Sequence, residues 1–214
     1  MSSHKLYFVI IADLIASKEI EDRENFQKDL SGFLKDLSKR SEKNGLVSPY
    51  TITLGDEFQA VYEKPQSLFE DVWEVIEFVY PVQIRWAIGY GQITTHINPE
   101  QSIGMDGPAF HQARDLMTQL KKSGHTVIGI KGKDLPVAPL ANQSLLLLSS
   151  ILEKWKENSV KICTRLLKGT SIEQIAEELA ISPRAVYKNI RTNHIQEVIH
   201  LMEILKTDYM LLNE

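Results

Sequence analysis

Residues 169–190 read GTSIEQIAEELAISPRAVYKNI, and the spacing inside this stretch decides what the second half of the chain is. Ser171 precedes a short helical run and Gln174 follows three residues later, as a capping box requires. Ile175, Ala176 and Leu179 share one side of that helix, and the small Ala176 admits a neighbouring helix closely. Ala180-Ile181 makes a turn. Ser182 then caps another helix with Pro183 at its first position, where the missing N–H costs nothing. Ala185, Val186 and Ile190 point inward, which leaves Arg184, Tyr187, Lys188 and Arg191 outward. Upstream, Asn158 is expected to cap a helix carrying Val160, Ile162, Cys163, Leu166 and Leu167 that ends at Gly169. Downstream, 195–212 stays helical, and Ile195, Val198, Ile199, Met202 and Leu205 form a stripe suited to a dimer or interdomain contact. His200 on that helix reads as an ordinary helical histidine rather than a metal ligand.

This three-helix spacing resembles the helix-turn-helix of bacterial regulators and sigma factors. The resemblance implies that Pro183 to Arg191 is a recognition helix lying in the major groove of DNA. The alternative is the same fold used only for packing or dimerisation. The net charge of -4 looks wrong for a nucleic-acid binder, but its distribution matters more than its sum. Residues 141–214 hold nine basic and nine acidic side chains, so the deficit lies in the first 140. Within 182–194 the charged residues are Arg184, Lys188 and Arg191, a local basic stripe of the kind phosphate contact needs.

The first half has another pattern. Leu6 to Ala12 (LYFVIIA) is a buried strand ending at Asp13, and 21–43 has helical spacing through Phe26, Leu30, Phe33, Leu34 and Leu37. Tyr50 to Leu54 and Phe58 to Tyr62 read as strands joined at Gly55-Asp56. A helix from Pro65 through Val79, a strand over 82–91, a helix over 107–122 and a strand over 125–130 follow. This order predicts an α+β domain with its helices mainly on one face of a sheet. Residues 131–143 lack periodicity and hold two prolines. They divide the chain into an α+β domain, 1–135, and an all-α helix-turn-helix domain with a helical extension, 136–214.

Asp13 at a strand end and Asp56-Glu57 at a hairpin tip are the chemistry-bearing residues here. If the first strand lies beside the hairpin, Asp13 and Asp56 converge into a hard oxygen site suited to Mg²⁺, which in turn holds phosphates. Either aspartate alone has a plainer reading, Asp56 as a turn cap and Asp13 as a helix N-cap. Arg85 has one as a cross-strand ion-pair partner. Lys121 and Lys122 read as a solvated helix end or as cations near a phosphate. Trp86 and Phe110 read as core.

Four segments in order resemble the class III nucleotidyl cyclase domain and its GGDEF relative, which share a ferredoxin-like palm. They are ADLIAS (12–17), LGDEFQAVY (54–62), IRWAIGYGQI (84–93) and GPAFHQARDL (107–116). The resemblance implies metal ligation by Asp13, Asp56 and Glu57, with Mg²⁺ or Mn²⁺ as cofactor. It implies nucleotide contact from Asp13, Leu14, Ser17 and Arg85, and catalytic roles for His111 and Arg114. The sequence departs from the cyclase pattern at three places. Ile52 stands where a base-reading Lys is expected, and His111 stands where a ribose-orienting Asn is expected. Asp115 holds the position of the transition-state Arg, and Arg114 comes one residue earlier, about 100° away around a helix. Taken whole, with its helix-turn-helix, the chain resembles the SatD family.

Three functions follow as expectations. The leading one is a DNA-binding regulator whose cyclase-like domain senses a metal–nucleotide. The others are a divergent nucleotidyl cyclase or transferase, and a non-catalytic dimeric interaction module. A homodimer is expected because cyclases of this fold build sites across a dimer and helix-turn-helix proteins read paired half-sites. No apolar run approaches the roughly 18 residues of a membrane span, and no signal peptide is evident. One cysteine, Cys163, excludes an internal disulfide and a thiolate zinc site. A cytoplasmic location is the expectation.

Overall fold

The first strand, β1 (Leu6–Leu14), carries apolar side chains at consecutive positions, so both of its faces need cover. A computed structural model, describing residues 5–124, 127–133, 135 and 138–210, shows how they get it. Strands β2 (Leu46–Leu54), β3 (Glu57–Tyr62), β4 (Ile84–Gln92) and β5 (Ile128–Gly132) join β1 in one sheet, in the order β2-β3-β1-β4-β5. β1 is antiparallel to both β3 and β4, β2 is antiparallel to β3, and β5 runs parallel to β4. Helix α1 (Arg23–Ser41) connects β1 to β2, and α2 (Leu68–Val79) connects β3 to β4. The first four strands are therefore a ferredoxin-like palm built from two split β-α-β units.

Phe8, Ile10, Ala12 and Leu14 share a core with α1 and α2. Val9 and Ile11 alternate to the other face, where Val61 and Ala87 join them under α3 (Pro108–Ser123). The expectation of helices mainly on one face describes α1 and α2, and the alternate side of β1 is apolar too and has its own helix. α3 lies so close to β4 that a Cβ at Gly89 would strike the backbone of Ala109 and Ala113, so only glycine fits there. The strand expected over 125–130 is observed as β5, with residues 125 and 126 outside the described residues.

The stretch 131–143, expected to be irregular, contains the start of α4 (Ala138–Leu152). Its Asn142 completes the free edge of β5, accepting from Ile130 N (2.8 Å) and donating to Ile130 O (2.7 Å). Ser149 Oγ accepts from Val127 N at 3.0 Å, a second stitch between helix and sheet. The first turn of α4 escapes a search for alternation with charge, because the helix has no charged residue.

Helices α5 (Glu157–Leu167), α6 (Ile172–Glu178), α7 (Pro183–Thr192) and α8 (Ile195–Met210) follow. The cap of α5 is Lys156, not Asn158, because the extended backbone ends at Lys156 and the helix begins sooner. α5 closes as a Schellman motif: Thr170 N donates to Arg165 O (3.0 Å) and Gly169 N to Leu166 O (2.9 Å), with Gly169 at φ 76°. The Ser171–Gln174 capping box is formed in both directions. Ser182 Oγ accepts from Ala185 N at 3.2 Å, and Pro183 takes the first helical position.

The apolar stripe of α8 is buried inside the chain, so its contact is internal. Tyr209 meets Phe8 of β1 with ring centroids 5.9 Å apart. Trp155 meets Trp73 of α2 at 5.5 Å. One continuous hydrophobic core runs from the sheet through α2, α4, α5 and α8 to α7. The parts on either side of the 135/136 boundary share that core. Among the described residues no helix is long and apolar enough to cross a membrane.

Candidate functional site

Two places gather the side chains singled out above. The first is the outer face of α7. Arg184, Tyr187, Lys188 and Arg191 are spaced i, i+3, i+4, i+7, so they form one stripe, and all four are exposed. Val186 is fully buried behind them and anchors the helix. Ala180 adopts a left-handed conformation (φ 52°) that turns the chain sharply between α6 and α7. At the far end of α7, the indole Nε1 of Trp155 donates to Asn193 O at 3.1 Å. α7 is thus capped at its start and tied to the core at its end.

The second place is the end of the sheet where β1 finishes. Register pairs Asp13 with Glu57 of β3 on one side and Arg85 of β4 on the other. The three side chains therefore sit in one row on the α3 face. Asp13 is only 7% exposed. Arg85 Nη1 donates to its Oδ2 at 3.1 Å, and Lys121 Nζ, from the last turn of α3, lies 2.7 Å from its Oδ1. Asp56 lies at the adjoining hairpin tip. Its Oδ2 accepts from the buried Ser17 Oγ at 2.6 Å, and its carbonyl accepts from Leu14 N at 3.1 Å. Gln27 Nε2 of α1 holds the same tip by donating to Gly55 O at 2.6 Å. Glu57 Oε1 accepts from Thr53 Oγ1 at 3.3 Å.

The segments ADLIAS and LGDEF therefore do meet, joined by the Ser17–Asp56 and Leu14–Asp56 bonds. The arrangement at Asp13, however, suits internal cations rather than Mg²⁺. A hard divalent ion needs free carboxylate oxygens, and both oxygens of Asp13 already face a guanidinium or an ammonium. Among the described residues, no group of three or more His, Cys, Asp or Glu side chains is placed to hold a metal ion. Arg85 takes the ion-pair role that the sequence left open for it.

His111 and Arg114 do not join this site within one chain. His111 lies near the start of α3, paired with Asp106 at 2.9 Å. It stands ten residues, about 15 Å, along the helix from Lys121. Arg114 is exposed, about 10 Å from Lys121 on the same measure. Trp86 and Phe110 are core, as expected. Lys121 is the residue whose role the sequence left undecided. Its signal was helix length: sixteen residues of α3 return the chain along β4 to the end of β1.

A third polar cluster was invisible in sequence. Asp71 of α2 is 3% exposed and accepts from Tyr62 Oη and from Ser67 Oγ (3.1 Å). The Tyr62 and Tyr50 hydroxyls lie 3.0 Å apart, which extends the chain of bonds. Burial pushes the Asp71 carboxyl up to about 6, against the opposing hydrogen bonds of Ser41, Tyr62 and Ser67. Nearby, burial opposes the charge of Glu74, yet Arg40 and Lys168 hold it below the usual carboxylate range. Lys168 belongs to the helix-turn-helix half, as does Arg165, which binds Glu77 of α2 at 2.7 Å and Glu178 at 2.6 Å. Lys206 of α8 binds Glu70 at 2.5 Å. These bonds make a polar seam between the two halves beside the shared core.

Among solved structures, the chain is similar to the dimeric guanylyl cyclase domain of the RhoGC fusion protein from the aquatic fungus Blastocladiella emersonii. That match has 15% identity and TM-score 0.42, covering 59% of this chain and 79% of that one. A Regulator of Polyketide Synthase Expression from Bifidobacterium adolescentis aligns over 96% of this chain and 86% of its own, at 14% identity and TM-score 0.28. At such scores neither likeness adds to the fold assignment, which rests on the strand order. No curated protein matches the chain by sequence. A family model described as the SatD family matches residues 7–203. With that match spanning both the palm and the helix-turn-helix, the chain belongs to the SatD family.

Proposed function

We propose that this protein is a DNA-binding regulatory protein that reads duplex DNA with α7, and that its palm half regulates this binding. The observation that carries the reading is the outer face of α7. Three exposed cations and a tyrosine lie in one stripe, with no acidic residue in 182–194. A stripe spanning i to i+7 is about 10 Å long, which fits a major groove about 12 Å wide. Arg184, near the helix start, stands where recognition helices contact base edges, and Lys188 and Arg191 stand further along for phosphates.

The test is fluorescence anisotropy with a mixed-sequence DNA duplex over a range of salt. Two phosphate contacts per protomer give a slope of log affinity on log salt of about −1.8, and Lys188→Ala with Arg191→Ala removes most of it. Affinity that is indifferent to salt, or unchanged in the double variant, would refute the reading.

The ligand sensed by the palm half is proposed to be a nucleotide at the Asp13–Asp56 end of the sheet. A Mg²⁺ or Mn²⁺ ion brought with it would have to displace Lys121 from Asp13. Calorimetric titration of ATP or GTP with Mg²⁺ into the wild type and Lys121→Met tests this. The sensing reading expects heat of binding in at least one of the two proteins that Asp13→Asn abolishes. No heat in either protein removes it and leaves the DNA-binding reading standing.

A further inference from the structure

Helix α4 differs from the other long surface helices. α1, α3 and α8 all carry charged residues, whereas Ala138–Leu152 has none. Its inner side is spent on the sheet through Ala141, Leu145 and Leu148, with Asn142 on the edge of β5. Its outer side leaves Leu140 73% and Leu147 69% exposed. These two leucines belong to a row, Leu140, Ser144, Leu147, Ile151, with steps of four, three and four residues; Ser144 and Ile151 are half-buried at its edge, and Ile151 also touches the core. That is the spacing of the apolar seam of a coiled coil. Large apolar side chains left together on a surface mark an interaction site.

We infer that this outer face of α4 is a homodimer interface, in which the helix packs against the same helix of a second copy. The occupant follows from charge and shape. A neutral face gives an acidic or basic partner nothing to pair with, while two neutral faces meet without repulsion. A two-fold pair also needs a self-complementary patch, and a short seam of knobs and holes supplies its own complement. The small Ser144, between the leucines, lets the two backbones approach. The other apolar stripe, on α8, is already buried within the chain and is not open to a second copy. Two helices of 15 residues, each about 22 Å long, make a contact at the small, weakly associating end of specific interfaces. A contact this small is expected to form and dissociate with concentration.

The inference is independent of the DNA reading, because it is tested without DNA. Sedimentation of the full chain from low to high micromolar concentration is expected to show a shift from 24.4 kDa to twice that mass. Leu140→Glu with Leu147→Glu puts like charges across the seam and is expected to leave a monomer at every concentration. Its far-UV circular dichroism and melting temperature should match the monomeric wild type, since both positions face solvent. Should the glutamates disturb the helix, Leu140→Gln with Leu147→Gln makes the same test without charge. A wild type that stays monomeric throughout overturns the inference. So does a dimer that persists in a correctly folded double variant.

Discussion

Asp71→Asn isolates one titrating group at the seam between the two halves. The carboxyl is buried and its pKa is pushed up to about 6, from an ordinary value of 3.8. The folded protein therefore holds this proton across a pH window in which the unfolded chain has released it. Stability then falls as pH rises through that window, from about pH 4 to about pH 6, and the loss is complete above it. A shift of about two units corresponds to about 3 kcal/mol, or roughly 6–12 °C in melting temperature for a chain of this size. Asparagine keeps an acceptor oxygen for Tyr62 and Ser67 but cannot ionise. The variant should therefore gain on the wild type by about 3 kcal/mol between about pH 4 and about pH 7. Urea unfolding of both proteins at several pH values measures the difference. The ion pairs of Glu74 and Glu178 titrate in both and cancel. A difference that stays flat across the window, or grows toward low pH, refutes the placement of Asp71 as a buried, proton-holding group.

Other outcomes follow from single contacts. Asn142→Ala removes both bonds to Ile130 at the β5 edge. It should cost about 2 kcal/mol, with faster hydrogen exchange at the Ile130 amide. Ala180→Gly relieves a left-handed alanine (φ 52°) and should stabilise by about 1 kcal/mol in thermal unfolding. Asp13→Asn leaves Arg85, largely buried, without its counter-ion and should cost about 3 kcal/mol. Lys121→Met should cost less than about 1 kcal/mol, because that lysine is 44% exposed and screened by solvent. Chemical denaturation of the two side by side checks the order, and equal costs would count against the geometry at Asp13.

Much of the fold was legible because its signals are local. The run LYFVIIA, the Gly55-Asp56 hairpin and the Ser171 and Ser182 caps each depend on a few adjacent residues. The helix-turn-helix could be placed almost residue by residue for the same reason. What escaped depends on distant parts. Nothing near Asp13 says that Lys121 returns along α3 to meet it. The start of α4 was hidden because two prolines and a charge-free composition resemble a linker. Asn158 is a good cap by residue type, but the backbone turns helical earlier, after Lys156. Asp71 read as an ordinary charged residue of α2, since only the packed tyrosines around it reveal its burial. Segment order brought Asp13, Asp56 and Ser17 to one end of the sheet, while the partners of each carboxylate needed coordinates.

The bond from the Trp155 indole to the carbonyl of Asn193 has a consequence for how a signal can travel. α7 has no slack tether on which to swing, because its C-cap Asn193 is fastened to a tryptophan that itself packs on Trp73 of α2. α7 and the palm thus share a lever whose pivot is Trp155. A change at the sheet would reach the outer stripe as a small tilt rather than a release, and in the proposed homodimer its useful effect would be on the angle and separation of two such stripes rather than on the shape of either one.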